Sequence, residues 1–337
     1  SDDDGVGDNS DPYPIDPSLW SMKIEDALAG IADENLKSCV AEATSGMQQV
    51  SEVTELDCYG RGISALNGLA QFTNMSFLYL RSNQISDISP LSGLTNLLEL
   101  TLFGNQIKDV SGLSELKNLF YLYLDNNRIT DVSSISGLTN LYGLSLGNNQ
   151  ITDVSPMSGL INLGILSLGN NQITDVSPVS GLTNLGRLSL GNNQITDVSP
   201  ISGLTNLGSL SLDNNRITDV SPISGLTNLY GLSLDNNRIT DVSSISGLTN
   251  LYFLDLSENK IQNIEPLSQL RRLELLRVGR NPIADISLLA ELDSLIDVGF
   301  DIDSDDDLEL AKSLSGITRL RVATPDYVLT DYEIFSR

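Results

Sequence analysis

The chain has 337 residues, of which 40% are hydrophobic but only 5% aromatic, enough for one large elongated domain or two compact ones with an aliphatic core. The formal net charge of −25 excludes the basic footprint by which a protein displaces phosphate counterions, and hence nucleic acid; it also opposes anionic membrane surfaces and leaves cations and basic protein surfaces as partners. There is no histidine, which rules out His-dependent triads and His-ligated metals, and no run of about 18 uncharged apolar residues that could span a membrane.

Residues 1–18 are acidic, rich in Gly and Pro, and lack apolar periodicity, so they read as an acidic linker. Within them Asp2, Asp4, Asp8 and Asp11, with Gly5 and Gly7, form D-x-D-G-x-G-D-x-x-D. Alternating carboxylates with glycine turns can wrap oxygen ligands around a hard cation such as calcium; a solvated spacer is the alternative. No signal peptide is visible, and Ser1 in place of Met reads as a processed or trimmed start. Residues 19–52 are expected to be a helical N-terminal cap. Ile24, Ala27, Leu28 and Ile31 suggest a short helix. Asp33 is placed to N-cap a second one over 34–44, with Leu36, Val40 and Ala43 on one side and Gly46 ending it. A solenoid needs a cover over its first exposed rung, and this segment precedes the first rung.

Residues 53–294 repeat. Between 141 and 250 the sequence says almost the same thing five times, with a period of 22 and no insertion or deletion. A unit of that size cannot bury a core alone and must stack on its neighbours. Aligned on L-x-x-L-x-L-x-x-N-x-I, the first position recurs from Val53 through Leu119 and Leu207 to Leu295, and the asparagine in ten consecutive units from Asn83 to Asn281. This is the leucine-rich-repeat signature. It predicts an α/β fold: a right-handed leucine-rich-repeat solenoid, or horseshoe, with a parallel concave β-sheet whose positions four and six point inward. The asparagine amide is expected to satisfy backbone groups of adjacent turns in a buried ladder. On the convex side, Ser89-Pro90, Ser155-Pro156 and Ser221-Pro222 read as N-cap and first residue of a helical turn. The preceding aspartate column, from Asp87 to Asp285, reads as turn-capping. The first rung departs from the pattern, with Cys58 at an inward position and Arg61 in place of asparagine. Residues 295–337 are expected to form a helix-strand C-cap: Asp303 replaces asparagine, a helix follows over about 306–314, and Ile317, Leu320 and Val322 make a final rung.

Positions three, five and seven point outward on the concave face. Near the N-terminus they hold Tyr59, Phe77, Tyr79, Arg81, Phe103, Tyr121 and Tyr123, six aromatics in four adjacent rungs of an aromatic-poor chain. Exposed Tyr, Phe and Arg in a cluster have the composition of an interface hot spot. Ordinary strand propensity with packing against the cap is the bland alternative. In the middle rungs the same columns hold mostly Gly and Ser, and towards the C-terminus Phe253, Asp255, Leu275, Arg277 and Arg280 make a weaker second candidate. Gly143-Leu-Ser145-Leu-Gly147 matches a nucleophile elbow, but it lies wholly inside the repeat and has no histidine to serve it, so no enzyme is expected.

With the unit L-T-N-L-x-x-L-x-L-x-x-N-x-I-x-D-[VI]-S-P-[LIV]-S-G on the page, the chain resembles the internalin-like class of bacterial leucine-rich-repeat proteins over about residues 33–295. The acidic segment resembles the second half of a thrombospondin type 3-like calcium repeat. The first resemblance implies an extracellular or surface-displayed recognition module that binds a protein partner through its concave face. The chain is expected to be non-catalytic, exported to the extracellular space, the cell surface or the periplasm, and a monomer. No immunoglobulin-like segment or cell-wall sorting motif follows the repeats in this sequence, which departs from the listerial pattern. Cys39 on the cap helix and Cys58 in the first rung would, if joined, staple cap to stack, as an oxidising compartment permits; two buried free thiols are the alternative. Two other readings stay open: a glycan site on the aromatic patch, and an intracellular scaffold resembling the leucine-rich phosphatase regulators.

Overall fold

A computed structural model of the chain describes residues 22–301 and the backbone of residues 319–323 and 328–329. The candidate calcium ligands Asp2, Asp4, Asp8 and Asp11 and the helix expected over 306–314 lie outside the described residues.

The N-terminal cap consists of α1 (Ile24–Ala29) and α2 (Glu34–Ala43). Ile24, Ala27 and Ile31 are buried, and Val50 N–H donates to the Met22 carbonyl at 2.9 Å, closing the cap on itself. Asp33 starts α2 as the sequence predicts. Its Oδ1 accepts from the amides of Asn35 and Leu36, both at 3.0 Å. Its Oδ2 accepts from the Ser64 amide and hydroxyl, both at 2.9 Å, and from the Ala65 amide at 3.1 Å. One carboxylate thus begins the helix and ties it to the loop after the first strand. Burial works against its charge, but the hydrogen bonds from Ser64, Leu36 and Ala65 outweigh burial and hold its pKa below the usual carboxylate value. Leu36, Cys39 and Val40 face the core. Ala43, expected beside them, is exposed; Thr44 is buried instead, its hydroxyl donating to the Val40 carbonyl at 2.7 Å. Gly46 follows with φ +93, the left-handed stop the sequence predicts. A side chain at Gly68 would come within 2.8 Å of Ile31 Cγ1, so the loop can approach the cap only because glycine stands there. Cys39 and Cys58 form a disulfide with Cα atoms 5.8 Å apart. Closing that loop of 19 residues is worth about 3 kcal/mol of chain entropy. Arg61, standing where later units have asparagine, pairs with Glu42 of α2 at 2.7 Å.

The chain divides into two compact units, Ser1–Ile151 and Thr152–Arg337. Both are leucine-rich-repeat solenoids of short parallel strands, one per rung. In the first unit β1 (Glu55–Asp57), β2 (Phe77–Tyr79), β3 (Glu99–Thr101), β4 (Tyr121–Tyr123) and β5 (Gly143–Ser145) pair in sequence order, each residue opposite the one 22 positions on. In the second unit β6 (Ile165–Ser167), β7 (Arg187–Ser189), β8 (Ser209–Ser211), β9 (Gly231–Ser233), β10 (Phe253–Asp255), β11 (Leu275–Arg277) and β12 (Asp297–Asp301) pair the same way. Beyond them, β13 (Arg319–Ala323) sets Leu320 and Val322 in register with Val298 and Phe300, where the last rung was expected, and β14 (Val328–Leu329) turns back antiparallel to β13.

The rung repeats a single set of bonds. At Asn127, Nδ2 donates to the Leu102 and Leu124 carbonyls, both at 3.0 Å, and Oδ1 accepts from the Ile107 amide at 3.0 Å. Within each unit the asparagines therefore close their own turn and hold the turn before it, and the column is buried as predicted. The residue before it is left-handed, with φ +54 at Asn126 and +57 at Arg280. The convex 3₁₀ turns correct one expectation. The serine is not the N-cap: at Ser89–Leu91 and Ser155–Met157 it is the first residue of the turn, and buried Ile88 or Val154 precedes it. An apolar core residue has no side chain to cap with, so aspartate does so from one place further back. Asp87 Oδ1 accepts from the Ser89 amide at 2.9 Å, and Asp153 Oδ1 from the Ser155 amide at 2.8 Å. The aspartate column is thus turn-capping as expected. Hydrogen bonds from the following serine hold the carboxyls of Asp87, Asp131 and Asp219 below their usual range.

Candidate protein-binding surface

The outward columns of β1–β4 are built by register. Phe77 stands between Glu55 and Glu99, Tyr79 between Asp57 and Thr101, and Tyr123 between Thr101 and Ser145. The inward leucines of the same strands are fully buried, so the backbone beneath the outward side chains is held rigid by the aliphatic core.

Five of the seven predicted residues come together. Tyr59, Tyr79, Arg81, Phe103 and Tyr123 line one cleft of about 690 Å³, joined there by Glu99 and Asp125. Tyr59 is 57% exposed, so the cap does not cover it. The Arg81 guanidinium lies 4.9 Å from the centre of the Tyr59 ring, within cation–π range. Phe77 and Tyr121 occupy the neighbouring column and do not line the cleft. Tyr121 lies nearly parallel to Tyr123, with ring centres 6.2 Å apart.

The electrostatics of the cleft are acidic and partly dry. Burial, and then the nearby Glu55 charge, push the Glu99 carboxyl above its usual value. Burial followed by Glu99 raises the pKa of both Tyr79 and Tyr123, so both hydroxyls stay protonated and available as donors. Asp125 is differently placed: its Oδ1 accepts from the Ser145 hydroxyl at 2.6 Å and the Gly147 amide at 2.9 Å. Ser145, the serine of the elbow-like motif, is therefore a strand residue bonded to a neighbouring rung's carboxylate.

Two ring residues escaped the sequence reading. Phe120 and Tyr142 occupy position two, just before the strand, and are 44% and 38% exposed. Their rings stack at 5.2 Å and 6°. Tyr121 meets both edge-on, at 5.0 and 6.0 Å. Tyr121 also lies over Gly143, where an added Cβ would stand 2.5 Å from its Cδ1. The glycine that looked like an empty concave position is the space this ring fills. The available signal was the run Leu98, Phe120, Tyr142 at 22-residue spacing.

The second candidate, in the second unit, is more self-satisfied. Arg277 pairs with buried Asp297 at 2.8 Å, and Arg280 pairs with Glu258. Both cations are engaged with adjacent rungs. Burial raises the Asp235 carboxyl; a Ser233 hydrogen bond opposes the rise, and Asp255 and Asp213 add to it. Among the described residues no group of three or more His, Cys, Asp or Glu is arranged to hold a metal, and no helix is long and apolar enough to cross a membrane.

Comparison with known proteins agrees with this geometry. The family described as "Leucine Rich repeats (2 copies)" matches residues 73–115, 117–162, 161–203 and 183–225, and the one described as "Leucine rich repeat" matches 205–261 and 227–283. An internalin (inlF) from Listeria monocytogenes is 32% identical, with a TM-score of 0.83 over 92% of this chain and 94% of its own. An internalin C2 (inlC2) from the same organism is 34% identical, with a TM-score of 0.53 over 68% of this chain and 96% of its own. The ectodomain of the Arabidopsis thaliana receptor kinase GASSHO1/SCHENGEN3, solved with CASPARIAN STRIP INTEGRITY FACTOR 2, shares the fold at 20% identity and a TM-score of 0.58, over 77% of this chain and 39% of its own. No functionally curated protein matches the sequence.

Proposed function

We propose, from the premise that this chain belongs to the internalin-like leucine-rich-repeat proteins, that it is a non-catalytic recognition module displayed or secreted outside the cytoplasm, and that it binds a protein partner through the outward face of β1–β4. The observation that carries this reading is the aromatic surface of the first unit. Tyr59, Tyr79, Phe103 and Tyr123 converge on one cleft, with Phe77, Tyr121, Phe120 and Tyr142 beside it, in a chain with only 5% aromatics. Rigid rings on a sheet lose little conformational entropy on binding and bury large areas, which is why Tyr, Trp and Arg dominate interface energetics. The placement outside the cytoplasm draws on the Cys39–Cys58 disulfide, since such bonds persist in oxidising compartments. It draws also on the internalin-like resemblance, which implies an extracellular or surface-displayed module.

The test begins with partners selected by the immobilised chain from a displayed library of extracellular protein domains. Their affinity is then compared for the native chain and the double variant Phe77→Ala/Tyr121→Ala. A loss of about 2–4 kcal/mol, or roughly thirtyfold to a thousandfold, is expected for two hot-spot rings beside the cleft on the same face. Melting should fall only modestly, because both side chains lie on the outward face of the sheet rather than in the aliphatic core, with Tyr121 giving up its packing against Phe120, Tyr142 and Tyr123. Unchanged affinity moves the site away from this face. A glycan reading has one observation in its favour, namely tyrosines beside Glu99 and Asp125 in a cleft of about 690 Å³. A glycan array with Tyr79→Ala and Tyr123→Ala decides it: signal that both variants abolish would favour sugar.

A further inference from the structure

Resting on the recognition reading, we propose that the cleft between Tyr59 and Tyr123 receives a lysine or arginine side chain carried by an exposed basic segment of the protein partner. The site offers a cation both of the things it needs. The first is aromatic surface. Tyr79, Phe103 and Tyr123 line the cleft, and the faces of such rings attract positive charge. The chain already makes one such contact itself, Arg81 over Tyr59 at 4.9 Å. The second is an unbalanced carboxylate. Glu99 is half-buried in the lining, and its side chain forms neither a hydrogen bond nor an ion pair with any described residue. Asp125, by contrast, is held by Ser145 and Gly147, and Arg277 and Arg280 in the second unit are each paired. Glu99 thus bears the cost of burial without a counter-charge, and the neighbouring Glu55 makes that worse.

An incoming ammonium or guanidinium removes both penalties at once. An anionic group would meet Glu99 and Asp125 with only Arg81, turned onto the Tyr59 ring, to attract it, and a neutral one would bury Glu99 further without pairing it. The chain's charge of −25 favours encounter with basic protein surfaces at long range. With about 690 Å³ available, the cleft has room for a whole side chain and part of its backbone. The proposed occupant is therefore a peptide-borne cation.

The probes are acetyl-Gly-Gly-Lys-Gly-Gly-amide and its norleucine and glutamate counterparts, titrated into the full chain carrying isotope-labelled tyrosine rings and followed by NMR. The lysine peptide should shift Tyr79 and Tyr123 saturably, with a Kd on the order of 1 mM. The norleucine and glutamate peptides should bind at least about tenfold more weakly, and Glu99→Gln should weaken the lysine peptide by roughly fivefold to tenfold. Glu115→Gln, which alters an exposed carboxylate paired with Lys117 away from the cleft, should change nothing. Equal binding of the norleucine peptide, or an unchanged lysine titration in Glu99→Gln, overturns the proposal. So does saturation by spermidine with no response to the lysine peptide, which would make the ligand a small polycation. Failure here with retained sensitivity of a selected protein partner to Phe77→Ala/Tyr121→Ala would remove the cationic occupant and leave concave-face recognition standing. Loss of both would remove the site itself.

Discussion

Replacing Asn127 by alanine isolates the contribution of the asparagine ladder. Asn127 is 8% exposed and reaches two rungs. Its Nδ2 bonds to the Leu102 and Leu124 carbonyls are second bonds, because Asn105 and Asn149 also donate to those oxygens. Its Oδ1 is different: it is the partner the structure gives the Ile107 amide, and Ile107 is fully buried. A third, longer Nδ2 bond, to the Asp125 carbonyl at 3.2 Å, is shared with the Gly104 amide. The alanine variant therefore leaves one buried donor orphaned, at about 1–3 kcal/mol, and removes three shared bonds at roughly 0.5 kcal/mol each, about 3.5 kcal/mol in all. Urea unfolding followed by circular dichroism should register that loss, with both midpoint and slope reported because repeat arrays need not unfold in one step. The local signature is hydrogen exchange at Ile107, whose protection should collapse while the amides of β2 keep theirs. A destabilisation below about 1 kcal/mol with Ile107 still protected would refute the ladder as the source of inter-rung order.

Reducing the Cys39–Cys58 bond, or replacing both cysteines by alanine, should cost about 3 kcal/mol at the cap alone. Limited proteolysis between residues 22 and 52 is the measure: equal resistance with and without reductant would show that the bond does not stabilise the cap. Asp33 makes the cap acid-sensitive. Its pKa is lower in the folded chain than its ordinary value of 3.8, so its stabilisation is complete above that value and is lost as pH falls through the lower folded one. Between pH 5 and 2 the native chain should therefore lose melting temperature more steeply than Asp33→Asn, which keeps an acceptor but carries no charge. Parallel curves would mean that the hydrogen bonds from Ser64, Leu36 and Ala65 gain nothing from ionisation.

The parts of the structure that were legible in the sequence are those where a residue's partner lies a fixed distance along the chain. Asn83 to Asn281, the inward leucines and the turn-capping aspartates each repeat one bond, and repetition reveals it. The cysteine pair was legible because Cys39 and Cys58 stand on two elements that must touch. What escaped is where side chains settle among alternatives. Ser89 and Ser155 looked like caps because serine caps well, but the apolar residue before each has to enter the core, and this moves the cap to Asp87 and Asp153. Strand alternation shows that Phe77, Tyr79, Tyr121 and Tyr123 face outward. It does not show that Tyr79 and Tyr123 share a cleft while Phe77 and Tyr121 do not. It is silent about Phe120 and Tyr142, whose position precedes the strand and whose orientation is set by ring packing between rungs.

The asparagine bonds also mean that the array can change by copy number. Asn193 binds the Leu168 and Leu190 carbonyls and the Ile173 amide; Asn215 binds the Leu190 and Leu212 carbonyls and the Ile195 amide. The chemistry is the same and only the numbers advance. A genetic slip that adds or removes one 22-residue unit between 185 and 250 therefore hands the ladder asparagines and the backbone groups they bind partners of the kind they had before. The second unit would lengthen or shorten by about 4.8 Å per step. Its length can therefore change by whole repeats while Glu99 and the tyrosines around it, in the first unit, stay as they are.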